Sequence, residues 1–249
     1  MTQSPQSALS TILRDISNAK VAEFFAHTLR PGVFLLCYIV FSVIILYNYF
    51  IMKLSNKFTL TRILLSPVFF ILYFLPIWTG GLFAKASVVI AIPLLCFMEF
   101  TDFLDGFFAR RNNEVSDFGK LFDPFADVVV HLGTFLCFMF SFDPELSYMK
   151  PFLFILILYR EMTMNFIRMV AVKKGTAIAA RKGGKFKTVM YVASGFFALF
   201  LETLVRFGIQ PECFGTLKLV SLILFIICVL CSYVSFIDYL IHFGKLLKD

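Results

Sequence analysis

Long apolar runs separated by short polar stretches make up most of the chain. A helix needs about 20 apolar residues to cross a bilayer. Seven runs approach that length: 33–52, 59–78, a third that starts near 86 and continues into the segment holding Asp102 and Asp105, 123–142, 151–172, 188–205 and 216–243. The pattern predicts an all-α polytopic membrane protein. Residues 1–30 mix apolar positions such as Leu9, Ile12, Leu13 and Ile16 with charged ones, a pattern that suits an amphipathic helix in the membrane interface. No cleavable signal peptide is evident, because the polar lead is long and no small-residue cleavage site follows the first apolar run.

Composition supports this reading. The 249 residues are 59% hydrophobic and 16% charged, where a soluble domain is about half apolar and about a quarter charged. Mean hydropathy is +0.85. The net charge of +7 would suggest a nucleic-acid partner in a soluble chain; in a membrane chain it predicts basic cytoplasmic loops and no nucleic acid. With seven spans, the basic groups around Lys53, Lys57 and Arg62, around Arg110, Arg111 and Lys120, from Lys173 to Lys187, and at Lys245 and Lys248 all fall on one side. That side is expected to be the cytoplasm, and residues 1–30 then lie outside unless the first run is re-entrant. The six cysteines mostly sit in apolar runs as small hydrophobes. Cys228-x2-Cys231 lacks the second Cys or His pair that a zinc site requires.

Within this apolar chain, residues 102–127 read Asp-x2-Asp-Gly-x2-Ala-Arg-x8-Gly-x3-Asp-x3-Asp. Side chains three or four apart share a helix face, so Asp102 pairs with Asp105, and Asp123 with Asp127. Gly106 allows close approach to the backbone, Ala109 leaves room for a ligand, and Gly119 is expected to permit the turn between the pairs. Pro124 is tolerated only near a helix start, which puts Asp123 and Asp127 at a membrane surface. Ionised groups beside a membrane span are expensive and rarely idle. Four gathered carboxylates repel unless a strong positive charge sits among them. One or two divalent cations, Mg2+ or Mn2+, would supply it, and hard oxygen ligands suit them. Such a site can polarise a phosphoryl group and stabilise a leaving phosphate, while one carboxylate takes a proton from an attacking hydroxyl.

The spacing resembles the signature of the CDP-alcohol phosphotransferase family, whose eight fixed positions match Asp102, Asp105, Gly106, Ala109, Arg110, Gly119, Asp123 and Asp127. The resemblance implies a core of six transmembrane helices, here carried by a domain of residues 53–249, with residues 1–52 adding an extra N-terminal apolar helix. It also implies a two-metal site formed by Asp102, Asp105, Asp123 and Asp127, with Asp127 as the catalytic base. Asn56, Asp105, Gly106, Ala109 and Arg110 would lie at the nucleotide of a CDP-linked donor. A homodimer is also suggested.

Further marks are similar to the phosphatidylglycerophosphate synthases within that family: Asn56-x2-Thr59-x2-Arg62, Arg160-Glu161, Arg168, Gly175 and the run 184–188. Ser55 stands where a proline is usual and Val128 where a lysine is usual. This resemblance implies CDP-diacylglycerol as donor, glycerol 3-phosphate as acceptor and a bacterial-type inner membrane, with the active site on the cytoplasmic face. A basic pocket for the acceptor phosphate is expected from Arg110, Arg160, Lys185 and Lys187, because Arg binds phosphate as a fork and Lys as a point charge. An idle Arg160 in an apolar span would cost about 2.5–3.5 kcal/mol. Glu161 is expected to pair with it only in part, since adjacent helix positions diverge. His131, one turn beyond Asp127, could extend the metal face or be a hydrogen-bonded core residue. Other acceptors (serine, inositol phosphate, choline) remain open, as do a cation carrier and an inactive lipid-binding protein.

Overall fold

The computed structural model describes residues 54–111, 117–175, 182–209 and 211–243. The extra apolar helix and the amphipathic segment expected in 1–52 lie outside the described residues. The described chain forms six helices and no strand: α1 (Leu54–Trp78), α2 (Ala84–Arg111), α3 (Asp117–Cys137), α4 (Pro151–Lys173), α5 (Lys182–Phe207) and α6 (Phe214–Phe243). Four of them contain stretches long and apolar enough to cross a membrane: Asn56–Trp78, Ala84–Asp102, Gly183–Phe207 and Phe214–Phe243. The other two helices are more polar, with Asp123 and Asp127 on α3 and Arg160, Glu161 and Arg168 on α4. The protein is an all-α, multi-pass membrane protein.

The helices close into a ring. Each packs on two neighbours, in the order α1, α2, α5, α6, α4, α3 and back to α1, and α3 also touches α5 across the middle. Large side chains fill the centre. A chain of ring contacts runs along the bundle interior: His131 edge-on to Tyr191 (5.5 Å between centroids), Tyr191 to Phe135 (5.1 Å), Phe135 edge-on to Phe225 (5.2 Å), Phe225 to Phe138 (6.4 Å) and Phe138 edge-on to Tyr73 (5.9 Å). Offset and edge-on aromatic pairs are favourable geometries, so this spine joins four helices at fixed separations. The outward faces are apolar instead. Phe152, Ile155, Tyr159, Met162, Phe166 and Met169 form a continuous exposed stripe on α4, as expected of a surface meant for lipid tails.

At one end of the bundle the helices are tied together by buried polar groups. Glu202 and Arg206 pair at 2.7 Å with both side chains fully buried. Arg206 also donates from Nη1 to Ser87 Oγ (2.7 Å) and from Nη2 to the Tyr73 carbonyl (2.8 Å), and lies 4.7 Å from the Tyr73 ring centroid. Glu202 accepts from Ser141 Oγ (2.6 Å), the Phe142 backbone N–H (2.9 Å) and Tyr148 OH (3.0 Å). Burial, reinforced by the Glu202 charge, pushes the Tyr148 phenol well up, so it stays protonated as a donor. The tight connection from α1 to α2 beside this network uses Gly80 and Gly81 at φ 65° and 103°. A Cβ on Gly81 would sit 3.3 Å from the Phe142 ring.

Two expectations about the 102–127 stretch are corrected. Gly119 is not in a turn: it is the third residue of α3, which already starts at Asp117. Residues 112–116, between α2 and α3, lie outside the described residues. Pro124 is the eighth residue of α3, about two turns in rather than in the first turn, so Asp123 and Asp127 lie further into the helix than the proline rule suggested. α3 also ends at Cys137 rather than near 142.

Candidate active site

The end of the bundle opposite the Glu202–Arg206 pair gathers the starts of α1, α3 and α5 and the ends of α2, α4 and α6. This follows from the alternating direction of six successive helices, and it collects most of the chain's ionisable groups at one level.

The inner face of α1 carries Asn56, Thr59 and Arg62 at helix spacing, all buried. Polar groups buried on an otherwise apolar helix need partners, and the partners here are the aspartates. Arg62 Nη1 lies 2.7 Å from Asp102 Oδ1 on α2 and 2.8 Å from Asp127 Oδ1 on α3. Thr59 Oγ1 donates to Asp123 Oδ1 at 2.8 Å. Three of the four sequence-predicted carboxylates thus converge on one buried helix face, while Asp102 and Asp127 keep 36% and 31% of their side-chain surface open. Asp105, Gly106, Ala109 and Arg110 belong to the last turns of α2, but their side chains lie outside the described residues. Asn56 is placed on the same face, one turn before Thr59.

Among the described residues no group of three or more His, Cys, Asp or Glu side chains is placed to hold a metal ion. The donor set nevertheless fits a hard cation. Two carboxylate oxygens from different helices already share one positively charged nitrogen, and a third aspartate is held alongside. Oxygen donors of this kind are what Mg2+ and Mn2+ prefer.

Beside Asp127 a cavity of about 140 Å3 opens between α3, α4, α5 and α6. Its lining includes Asp127, His131, Arg160, Arg168, Lys185 and Lys187. Three of the predicted basic residues, Arg160, Lys185 and Lys187, are therefore brought together; the Arg110 side chain lies outside the described residues. Glu161 organises two of them. Its Oε1 accepts Arg160 Nη1 at 2.9 Å, Lys187 Nζ at 2.8 Å and Tyr191 OH at 3.0 Å. The expectation of a merely partial Arg160–Glu161 pair is corrected: their Cβ atoms point about 100° apart, but the long guanidinium arm wraps back and Lys187 and Tyr191 draw the carboxylate inward. Arg160 also donates from Nε to the Ser232 carbonyl at 2.9 Å, tying α4 to α6.

Residues that the sequence reading left without a role complete the cavity. The buried Nε of Arg168 has no hydrogen-bond partner among the described residues, and neither has Ser235 Oγ; both residues line the cavity. His131 packs on Tyr191 and lies 3.9 Å from Glu99 Oε1. It is a buried residue with a carboxylate beside it, at the cavity wall. Arg62 was visible in the sequence as a basic residue at the start of an apolar run and as part of the Asn56-x2-Thr59-x2-Arg62 spacing. A cation at helix spacing inside an apolar run was the available signal, because such a charge must find a counter-ion.

The family model for CDP-alcohol phosphatidyltransferases matches residues 52–242. A protein of Treponema pallidum named CDP-diacylglycerol–glycerol-3-phosphate 3-phosphatidyltransferase is 36% identical over 203 residues, which is 79% of this chain and 92% of the relative. Proteins of the same name from Aquifex aeolicus and Bacillus subtilis are 30% identical over 173 residues (70% of this chain, 89% of the relative) and 35% identical over 141 (55% and 70%). The match spans all six helices and both halves of the polar site, and the chain belongs to the CDP-alcohol phosphatidyltransferase family.

Proposed function

We propose that this protein transfers the phosphatidyl group of CDP-diacylglycerol to glycerol 3-phosphate, giving phosphatidylglycerophosphate and CMP. One observation carries the reading: Asp127 faces both the cluster of carboxylates and the basic cavity, so one side chain borders the donor site and the acceptor site.

Asp102, Asp123 and Asp127, with Asp105 next to them in α2, are the residues that would hold divalent metal. Metal bound there supplies charge neutralisation for the donor pyrophosphate and for the CMP leaving group. The chain's own residues do the rest. The acceptor enters the cavity with its phosphate toward Lys185, Lys187 and Arg168. Arg160 serves mainly as a strut, since Glu161 and the Ser232 carbonyl occupy its guanidinium. Glu161 keeps Lys187 in place and cancels part of the local positive charge, which leaves the phosphate held without being buried in excess charge. The 1-hydroxyl of glycerol 3-phosphate then points to Asp127. As the hydroxyl oxygen forms its bond to the lipid-linked phosphorus, its proton passes to the Asp127 carboxylate. The bond from that phosphorus to the bridging oxygen breaks, and CMP departs with the electron pair. Lateral access suits a lipid donor, because the site lies at one end of the bundle between helices whose outer faces are apolar.

This end is assigned to the cytoplasmic face, on the basis of the basic residues concentrated at it. Purified protein supplied with CDP-diacylglycerol, Mg2+ or Mn2+ and a panel of acceptors tests the reading. CMP release with glycerol 3-phosphate well above that with serine, inositol phosphate or choline is expected. A preference for an acceptor lacking phosphate would remove the role given to the basic cavity.

A further inference from the structure

His131 is a buried polar group that the transfer leaves without a task. It is 6% exposed and lines the cavity. The Oε1 of Glu99, on α2, lies 3.9 Å from its Nδ1, beyond hydrogen-bond range. Its ring meets the Tyr191 ring edge-on, at 5.5 Å between centroids and 90° between planes. Neither ring nitrogen makes a hydrogen bond among the described residues. A buried polar group left in this state costs stability, so its presence at a cavity wall points to a ligand.

The level of His131 in the bundle narrows what that ligand offers. α3 and α5 both run inward from the chemical end, and His131 of α3 packs on Tyr191 of α5. Asp127 precedes His131 by four residues, and Lys187 precedes Tyr191 by four. Each of the two therefore lies about 6 Å nearer the open end. Asp127 and Lys187 stand at one level of the cavity wall, with His131 and Tyr191 as the floor beneath them. The Tyr191 hydroxyl is already engaged, because it donates to Glu161 at 3.0 Å. The unpartnered Ser235 Oγ lies higher, beside Gly183 and Gly184 at the start of α5. Of these groups, His131 is the one that offers a hydrogen bond from the floor.

We propose that His131 is a specificity-determining residue that reads the 2-hydroxyl of the acceptor. The inference rests on the transfer reading above. With the acceptor phosphate at Lys187 and its 1-hydroxyl at Asp127, the three-carbon chain bridges α5 and α3 at one level. The 2-hydroxyl branches from the middle of that bridge, and turned to the floor it meets His131. Glu99 beside Nδ1 favours the proton on that nitrogen. Nε2 is then left to accept a hydrogen bond from the 2-hydroxyl. The acceptor class selected is a phosphate monoester that carries a vicinal diol: one hydroxyl reacts, and its neighbour is recognised.

The test compares glycerol 3-phosphate with propane-1,3-diol monophosphate, which lacks only the 2-hydroxyl. Purified wild type and His131→Phe are supplied with CDP-diacylglycerol and Mg2+, and kcat/KM is measured for each acceptor. Wild type should favour glycerol 3-phosphate by about tenfold, the size of one hydrogen bond left unmade at a buried site. In His131→Phe that ratio should fall to about one or two, because neither acceptor then finds a partner at the floor. Should His131→Phe fail to fold, His131→Leu carries the same comparison. A variant that loses activity on both acceptors equally and keeps the wild-type ratio gives His131 a structural role only, and overturns the inference. A wild type that uses the two acceptors equally well overturns it without any variant. No CMP release with either acceptor overturns the transfer reading itself.

Discussion

Glu202 and Arg206, at one end of the bundle, are completely buried, and each polar atom of the pair has a partner from Ser87, Ser141, Tyr148, the backbone, or its mate. At the other end, Asp102, Asp127 and Arg168 come from α2, α3 and α4; the two carboxylates are about one-third open, and the buried Arg168 Nε, on a residue lining the cavity, has no hydrogen-bond partner among the described residues. The difference lies in satisfaction rather than in charge content. A buried network with every group paired has nothing left to offer a ligand and fixes the helices. A cluster with open oxygens and an orphan donor costs stability and is kept for what it can bind. The first end acts as the fixed base of the bundle, and the second as its chemical end.

Substitutions should therefore separate stability from activity by end. The largest effect is expected at Asp127. Asp127→Asn removes the proton acceptor and should lower the rate of CMP release by about 10^2–10^4-fold, with little change in melting temperature. Next comes Glu202→Ala, which leaves Arg206 as an unpaired buried charge and should cost about 3–5 kcal/mol. Unfolding in mixed detergent measures that loss, and the activity per folded molecule should stay near wild type. A large loss of turnover in folded Glu202→Ala would break the division between the two ends. Arg168→Ala should raise the KM for glycerol 3-phosphate by about ten- to hundredfold, the loss of one charge-assisted hydrogen bond of about 1.5–3 kcal/mol, and leave the KM for CDP-diacylglycerol unchanged. The smallest effect is expected at Gly133, near the C-terminal end of α3. A Cβ there would meet Ser66 Oγ at 2.7 Å. Gly133→Ala gains up to about 1 kcal/mol of helix propensity, and the crowding should offset it, for a net loss below about 1 kcal/mol in the same unfolding assay.

The parts legible in the sequence were those set by local periodicity. The helices α1, α2, α4, α5 and α6 follow from apolar runs, and the pairing of Asp123 with Asp127 follows from helix spacing. What the sequence could not show was which distant side chain answers which charge. Arg62 meets Asp102 and Asp127 across some 40 and 65 residues of chain, and that contact exists only because α1 packs on both α2 and α3. Four carboxylates suggested a need for positive charge, and metal was the natural candidate; the protein supplies part of that charge itself. Arg160 and Glu161 show a second limit. Helix geometry says that neighbours diverge, but Lys187 and Tyr191, from another helix, pull Glu161 to where Arg160 can reach it. The Glu202–Arg206 pair could have been flagged, since it is an i, i+4 ion pair inside an apolar run, although its partners on three other segments could not. Gly119 and Pro124 were misplaced because turn-forming residues are also tolerated inside a helix when packing supports them.

The most direct test of the central claim compares purified wild type with Asp127→Asn, each supplied with CDP-diacylglycerol, Mg2+ and glycerol 3-phosphate, and measures CMP release alongside phosphatidylglycerophosphate formation. The account predicts equal amounts of the two products from wild type and a loss of at least about 100-fold in both from a folded Asp127→Asn. Full turnover by the folded variant, or CMP released without the phospholipid product, would contradict it.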